Sequence, residues 1–269
     1  AGAETDEKDT VKKTWNVAAG HGTYSDAIAL ELPEFRSITP ELGLRYDSSS
    51  GNGALGVGWS LDGVSVVERA SPGKGSPRYD ASDLFLLDGG ELIPCAPGSV
   101  SPSCTTGGTH STRIESYRRI TLSGSGVASR WTITSKDGVR QVYAPVATVN
   151  GGAEVFRWGI SEVIDTRDNV VTYDWGADGF GCCWEHLDSI RYGGTSVTIH
   201  YEARDDAEWS AMGSGSMRTA RGRIQTIDIA VDGERVRAYS LKYAVSGPTG
   251  RSLLRSVQQY GSDATLDRS

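Results

Sequence analysis

Strand-length alternation of apolar and polar residues runs through almost the whole chain, and no segment sustains a 3.6-residue period. Ile28, Leu30 and Leu32 alternate with Ala29 and Glu31, and Leu42, Leu44 and Tyr46 repeat the spacing. Trp131 and Ile133 precede Asp137-Gly138, with Val142 and Tyr143 after it. Ile227, Ile229 and Val231 run into Asp232-Gly233 and out through Val236, Tyr239, Leu241 and Tyr243. Asp-Gly between two alternating runs is a strong hairpin signal, because both residues tolerate the positive φ of a tight turn. Phe156, Trp158 and Ile160 read as a further strand. So do Val171, Tyr173 and Trp175, and Val197, Ile199 and Tyr201. The fold class is therefore all-β, an antiparallel meander of hairpins that suits a large curved sheet or a sandwich-like packing of two.

Composition excludes several functions. The 34 glycines among 269 residues exceed the usual share of about 7%, but they show no collagen period and fall in turns. A net charge of −7 argues against nucleic acid, whose recognition needs a basic face. No apolar run reaches the roughly 18 residues that a membrane-spanning helix needs. Residues 1–20 open on polar AGAETDEKD and read as a flexible N-terminal arm.

Four cysteines permit three pairings. Cys95 and Cys104 flank CAPGSVSPSC, a short Pro/Ser-rich loop that a local disulfide would staple; two free thiols are the alternative. Cys182 and Cys183 are adjacent and could form a strained ring, stay reduced or pair elsewhere. Neither pair has zinc spacing. The even count suggests an exported protein.

Chemistry-bearing motifs are scarce. Gly51, Gly53 and Gly56 spell G-x-G-x-x-G in GNGALG. A dinucleotide site needs a helix after that turn; here VGWSLDG follows, so a glycine-rich turn between strands fits better. No nucleophile elbow, H-E-x-x-H or Walker loop occurs. His21, His110, His186 and His200 are scattered. A metal or catalytic role is conceivable for Glu185-His186 beside the cysteine pair, but a loop or core histidine is the plainer reading. DTRDN (165–169) and ARDDAE (203–208) could bind calcium but lack the EF-hand order, and read as solvated turns. The seven Trp and eleven Tyr read as core and cross-strand pairs rather than a glycan-binding face. No cofactor is implied.

One long stretch carries a resemblance. LRYDSSSGNGALGVGWSL, then PRYD, then DLFLLDGGELIP, entered through GTYSDAIALELP, resembles the N-terminal domain of the Salmonella virulence plasmid B / TcaC family. LDSIRYGG, VTIHYEARDD and GRSLLRSVQQYG look like the strands that follow in those proteins, which grade into Rhs/YD-type repeats. The resemblance divides the chain into the arm, a virulence plasmid B/TcaC-like β domain over 21–150, and a YD-like hairpin region over 151–269. It implies a hollow β-shell that encloses a toxic C-terminal segment. It implies no catalytic residue here: nothing matches the self-cleaving aspartate motif of the Rhs core, and no toxin domain is present. The family's turn motif falls on Tyr46, Asp47, Gly51, Asn52, Gly53, Gly56, Gly58 and Trp59. There the glycines would supply positive-φ turns and close backbone approach where the chain turns back, and Trp59 would anchor the turn on the sheet.

The expected function is a non-catalytic structural segment of a secreted, Rhs/toxin-complex-like protein. The expected partners are a further Rhs-type chain or a protein that pairs with the C-terminal strand edge, together with a toxin effector. The alternatives are a free-standing extracellular β module that binds protein or glycan, and a carboxylate-dependent hydrolase of glycosidase type. Exposure of Trp15, Trp184 and Trp209 would separate the binding module from the shell segment.

Overall fold

The computed structural model describes residues 16–17, 22–177 and 185–262. Most of the arm, together with Trp15, His21, Cys182, Cys183 and Trp184, lies outside the described residues. The N-terminal part forms a small antiparallel sheet in the order β1-β2-β3-β6, from β1 (Asn16–Val17), β2 (Tyr24–Ala29), β3 (Gly43–Asp47) and β6 (Trp59–Asp62). Between β3 and β6 the chain makes a miniature hairpin of β4 (Asn52–Gly53) and β5 (Gly56–Val57).

The next eight strands are β7 (Val66–Ala70), β8 (Leu84–Leu87), β9 (Gly90–Pro94), β10 (His110–Thr112), β11 (Arg119–Ser123), β12 (Arg130–Thr134), β13 (Arg140–Val149) and β14 (Glu154–Ile164). Each pairs with its successor except that β7, the first, also pairs with β14, the last. The meander thus closes into an eight-stranded barrel, a size whose interior side chains can fill completely. Trp131 and Trp158 are buried there, and Trp131 meets Phe85, His110 and Trp158 edge-on at centroid distances of 5.0, 4.8 and 6.2 Å. The Trp158 indole N–H donates to Ser129 Oγ at 2.9 Å. Closure is a feature that alternation does not reveal.

From β14 the sheet continues in order through β15 (Val170–Ala177), β16 (Glu185–Tyr192), β17 (Thr195–Gly213), β18 (Ser216–Val231), β19 (Glu234–Val245) and β20 (Ser252–Tyr260). Asp88-Gly89, Gly193-Gly194, Ser214-Gly215 and Asp232-Gly233 carry positive φ at both residues, the geometry that matches the twist of paired strands. Asp137-Gly138 sits in a longer turn with positive φ at Gly138 only. β20 pairs with β19 and, among the described residues, with no other strand.

One hydrophobic cluster runs through all three parts. The N-terminal segment covers the open sheet: Phe35 stacks on Tyr192 at 5.5 Å, Tyr239 Oη accepts from Glu31 N at 2.9 Å, and Tyr192 Oη donates to Pro33 O at 3.1 Å. The β17–β18 hairpin folds back on β13 and β14, where Met212 joins Ala147, Val149, Phe156 and Tyr79.

Candidate functional site

The turn motif organises the junction between the N-terminal cover and the open sheet. Tyr46 on β3 faces Trp59 on β6 in register, rings 5.4 Å apart. Asp47 closes the turn by accepting from Ser49 N and Oγ at 2.7 and 2.6 Å; those bonds hold its carboxyl below the usual range. Of the four motif glycines, Gly56 and Gly58 have positive φ; Gly51 and Gly53 do not. Positive φ is therefore confined to Gly56 and Gly58, while Gly53 allows close backbone approach, its Cβ position lying 3.2 Å from Trp59 O. Gly51 lies open, with space for a side chain, whereas a Cβ on Gly56 would sit 2.5 Å from the carbonyl oxygen of Ser252, and one on Gly58 would collide with the Tyr46 ring.

Leu55, at the tip of the miniature hairpin, is fully buried, and Ala54 O accepts from Ile224 N on β18 at 2.8 Å. Beside it β17 bulges: Ala203 pairs with Gly222, but the next pair is Glu208 with Ala220. The extra residues turn Arg204 and Asp206 inward. Arg204 Nη1 donates to Gly53 O at 2.5 Å and Nη2 to Asn52 Oδ1 at 2.6 Å. Its Nε and Nη2 also reach Asp206 Oδ1 and Oδ2 at 2.9 and 2.7 Å. Asp206 accepts further from Asn52 Nδ2, Ser252 N and Ser252 Oγ at 3.2, 2.6 and 2.7 Å. Burial alone would raise the Asp206 pKa; the bonds from Arg204 and Ser252 outweigh it and hold the carboxyl far below the carboxylate range. The Arg204 side chain is 0% exposed and that of Asp206 10%. A solvated turn at 203–208 is therefore wrong for Arg204 and Asp206, which the bulge makes a buried clamp on the motif hairpin, while Asp205 stays exposed. The signal that sequence reading missed is ARDD itself, an Arg and an Asp two apart on one side of a strand.

Next to the clamp is a cleft of about 820 Å³ whose walls include Gly51, Trp209 and Arg251. Trp209 is 62% exposed. Glu208 is largely buried, which pushes its pKa up while Arg157 and Arg204 pull it down.

The other candidates resolve individually. Cys95 and Cys104 face each other with Cα atoms 5.6 Å apart, a disulfide geometry, with the short helix Pro102–Thr105 closing the loop. Asp165 in DTRDN accepts from Arg167 N, Asn169 N and Asn169 Nδ2 at 2.8, 2.9 and 2.7 Å, so its oxygens are spent within the turn. No group of three or more metal-ligating side chains occurs among the described residues. His110 is packed in the barrel, and burial pushes its pKa down to about 4. His186 Nε2 lies 2.9 Å from Asp188 Oδ1, its ring 4.0 Å from that of Tyr201.

A family model described as the Salmonella virulence plasmid 65kDa B protein matches residues 18–190, more than half of the chain. The chain belongs to that family. Among curated relatives, the mono(ADP-ribosyl)transferases SpvB of Salmonella typhimurium (strain 14028s / SGSC 2262) and Salmonella dublin are each 40% identical over 72 residues. Those matches cover 27% of this chain and 12% of theirs, so the chain spans a small part of the relatives' length. The fold of this family member resembles the N-terminal domain of effector protein SpvB from Salmonella typhimurium strain LT2, with TM-score 0.65 and 16% identity over 87% of this chain and 98% of that one. It also resembles TcdB2-TccC3, with TM-score 0.76 and 17% identity over 92% of this chain and 16% of that one. The Photorhabdus luminescens Tc holotoxin pore gives TM-score 0.71 and 18% identity over 92% and 15%. No helix among the described residues is long and apolar enough to cross a membrane.

Proposed function

We propose that this chain is a non-catalytic structural segment of a secreted toxin protein, part of a β-shell that scaffolds or encloses a toxic effector. The observation that carries the reading is the asymmetry of the large sheet. One end closes into a barrel; the other ends at β20, whose outer edge has no strand partner among the described residues. Leu254 and Val257 on β20 pack only partly against the core. Such an edge is a template for a further strand of the same protein or of a partner. Family membership and the likeness to toxin-complex structures support the same reading.

The test is the mass of the native protein from its source, by immunoblot and intact mass spectrometry. A species far above 28.7 kDa is expected. A stable secreted species of about that mass sinks the single-chain container and turns the search to a separate protein that pairs with β20.

The second reading, an extracellular binding module, is favoured by one observation: Trp209 is exposed beside a cleft. The hydrolase reading predicts a deep acidic cleft. The cleft beside Trp209 instead sets Arg204, Arg221 and Arg251 against Asp205, Asp206 and Glu208.

A further inference from the structure

The β17 bulge does more than clamp the turn motif. It carries Asp205 and Trp209 to the wall of the cleft, which Arg251 from the β19–β20 connection also lines. Trp209 presents an indole that is 62% exposed, whereas Trp131 and Trp158 are buried in the barrel. An exposed indole against a rigid wall is costly to keep in water and serves well as a stacking platform. The wall is rigid because Arg204 and Asp206 are locked by the bonds to Asn52, Gly53 and Ser252.

The polar groups around the indole complete the chemistry. The side chains of Asp205 and Arg251 make no hydrogen bond among the described residues, whereas Glu208, next to Trp209 on β17, points to the other face, toward Arg157 and Arg204. The unspent carboxylate accepts and the unspent guanidinium donates. Arg204 and Asp206 neutralise each other in the clamp, which leaves Asp205 and Arg251 as opposite exposed charges on the lining, so a charged ligand of either sign meets repulsion as well as attraction. An uncharged ligand whose groups both donate and accept escapes that repulsion. Hydroxyl groups have that property, and the C–H face of a sugar ring is weakly positive, matching the negative face of an indole. We propose that this cleft binds an uncharged sugar ring of a glycan. The ring stacks on Trp209, a hydroxyl donates to Asp205, and Arg251 donates to a hydroxyl oxygen. This site would act beside the shell role and does not depend on it.

The test is saturation-transfer NMR on the full chain with four neutral oligosaccharides: maltotriose, cellotriose, lactose and tri-N-acetylchitotriose, each at millimolar concentration, and 3′-sialyllactose as a charged counterpart. Transfer to the ring protons of at least one neutral sugar is expected. Trp209→Ala should weaken that sugar at least tenfold, Trp209→Phe less, and Arg251→Ala several-fold. Because Trp209 and Arg251 are exposed, these variants should keep the parent's melting temperature, which separates a lost site from a lost fold. Absence of transfer to every neutral sugar, equal transfer in Trp209→Ala, or preference for 3′-sialyllactose would overturn the proposal.

Discussion

The barrel of β7–β14 and the open sheet of β15–β20 are built from the same kind of hairpin yet sealed in different ways. The barrel closes its own edges, and an aromatic cluster of Phe85, His110, Trp131 and Trp158 fills it. Among the described residues the open sheet has no such closure. Its apolar face, with Ile190, Val197, Ile227 and Ile229, is covered by a separate piece of chain, the N-terminal strands and their loop. That cover is fastened by the Arg204–Asp206 clamp on the turn motif. A meander can thus bury its apolar face through its own curvature or under a borrowed lid. The borrowed lid hangs on the clamp and a few further contacts at Tyr192, Tyr239 and Ile224, whereas self-closure spreads the burden over many ladder bonds.

The largest effect should come from breaking the clamp. Arg204→Ala leaves Asp206 buried without its ion-pair partner and should cost about 3–5 kcal/mol, read by chemical denaturation. Hydrogen exchange should then rise in β17–β20 while β7–β13 stays protected; equal loosening of both regions would mean the two are not separately sealed. In the barrel, Trp131→Ala should cost a similar amount, about 3–5 kcal/mol, by removing a buried indole and leaving a cavity, and should loosen β7–β14 first. Gly56→Ala acts on the lid by sterics: a Cβ at positive φ meets the Ser252 carbonyl, so about 1–3 kcal/mol should be lost. We propose that Cys95 and Cys104 are oxidised; a thiol-alkylation mass shift that appears only after reduction checks this, and Cys95→Ser with Cys104→Ser should cost roughly 2–3 kcal/mol.

The pH dependence sharpens the contrast more gently. Burial lowers the His110 pKa from 6.5 to about 4. Between those values the unfolded chain binds a proton that the folded barrel refuses, so stability falls as pH drops through that window. Above pH 6.5 the group contributes no slope. His110→Gln should lower stability at neutral pH yet flatten the curve between about 6.5 and 4, as followed by melting temperature against pH.

Much of this architecture was legible from alternation and turn chemistry. Asp232-Gly233 announces its hairpin because both residues accept positive φ. The run from Tyr46 to Trp59 identifies itself by its spelling, and its residues meet across β3 and β6 in register. The clamp was not legible. Arg204 and Asp206 look like any solvated charges until a bulge turns them against Asn52 and Gly53, which lie 152 and 151 residues from Arg204 in the chain. Trp209 and Trp158 are both tryptophans on strands, and only packing leaves the first in water and buries the second.

Residue order alone thus settles the class of structure, the places where the chain turns and the family to which it belongs. All of these rest on local periodicity, on glycine's freedom at particular positions, or on a contiguous motif. Three-dimensional packing settles that β7 meets β14, that β20 has β19 as its one strand partner among the described residues, and which charges are buried. Those outcomes depend on contacts between residues far apart in the chain, whose register and burial no local pattern encodes.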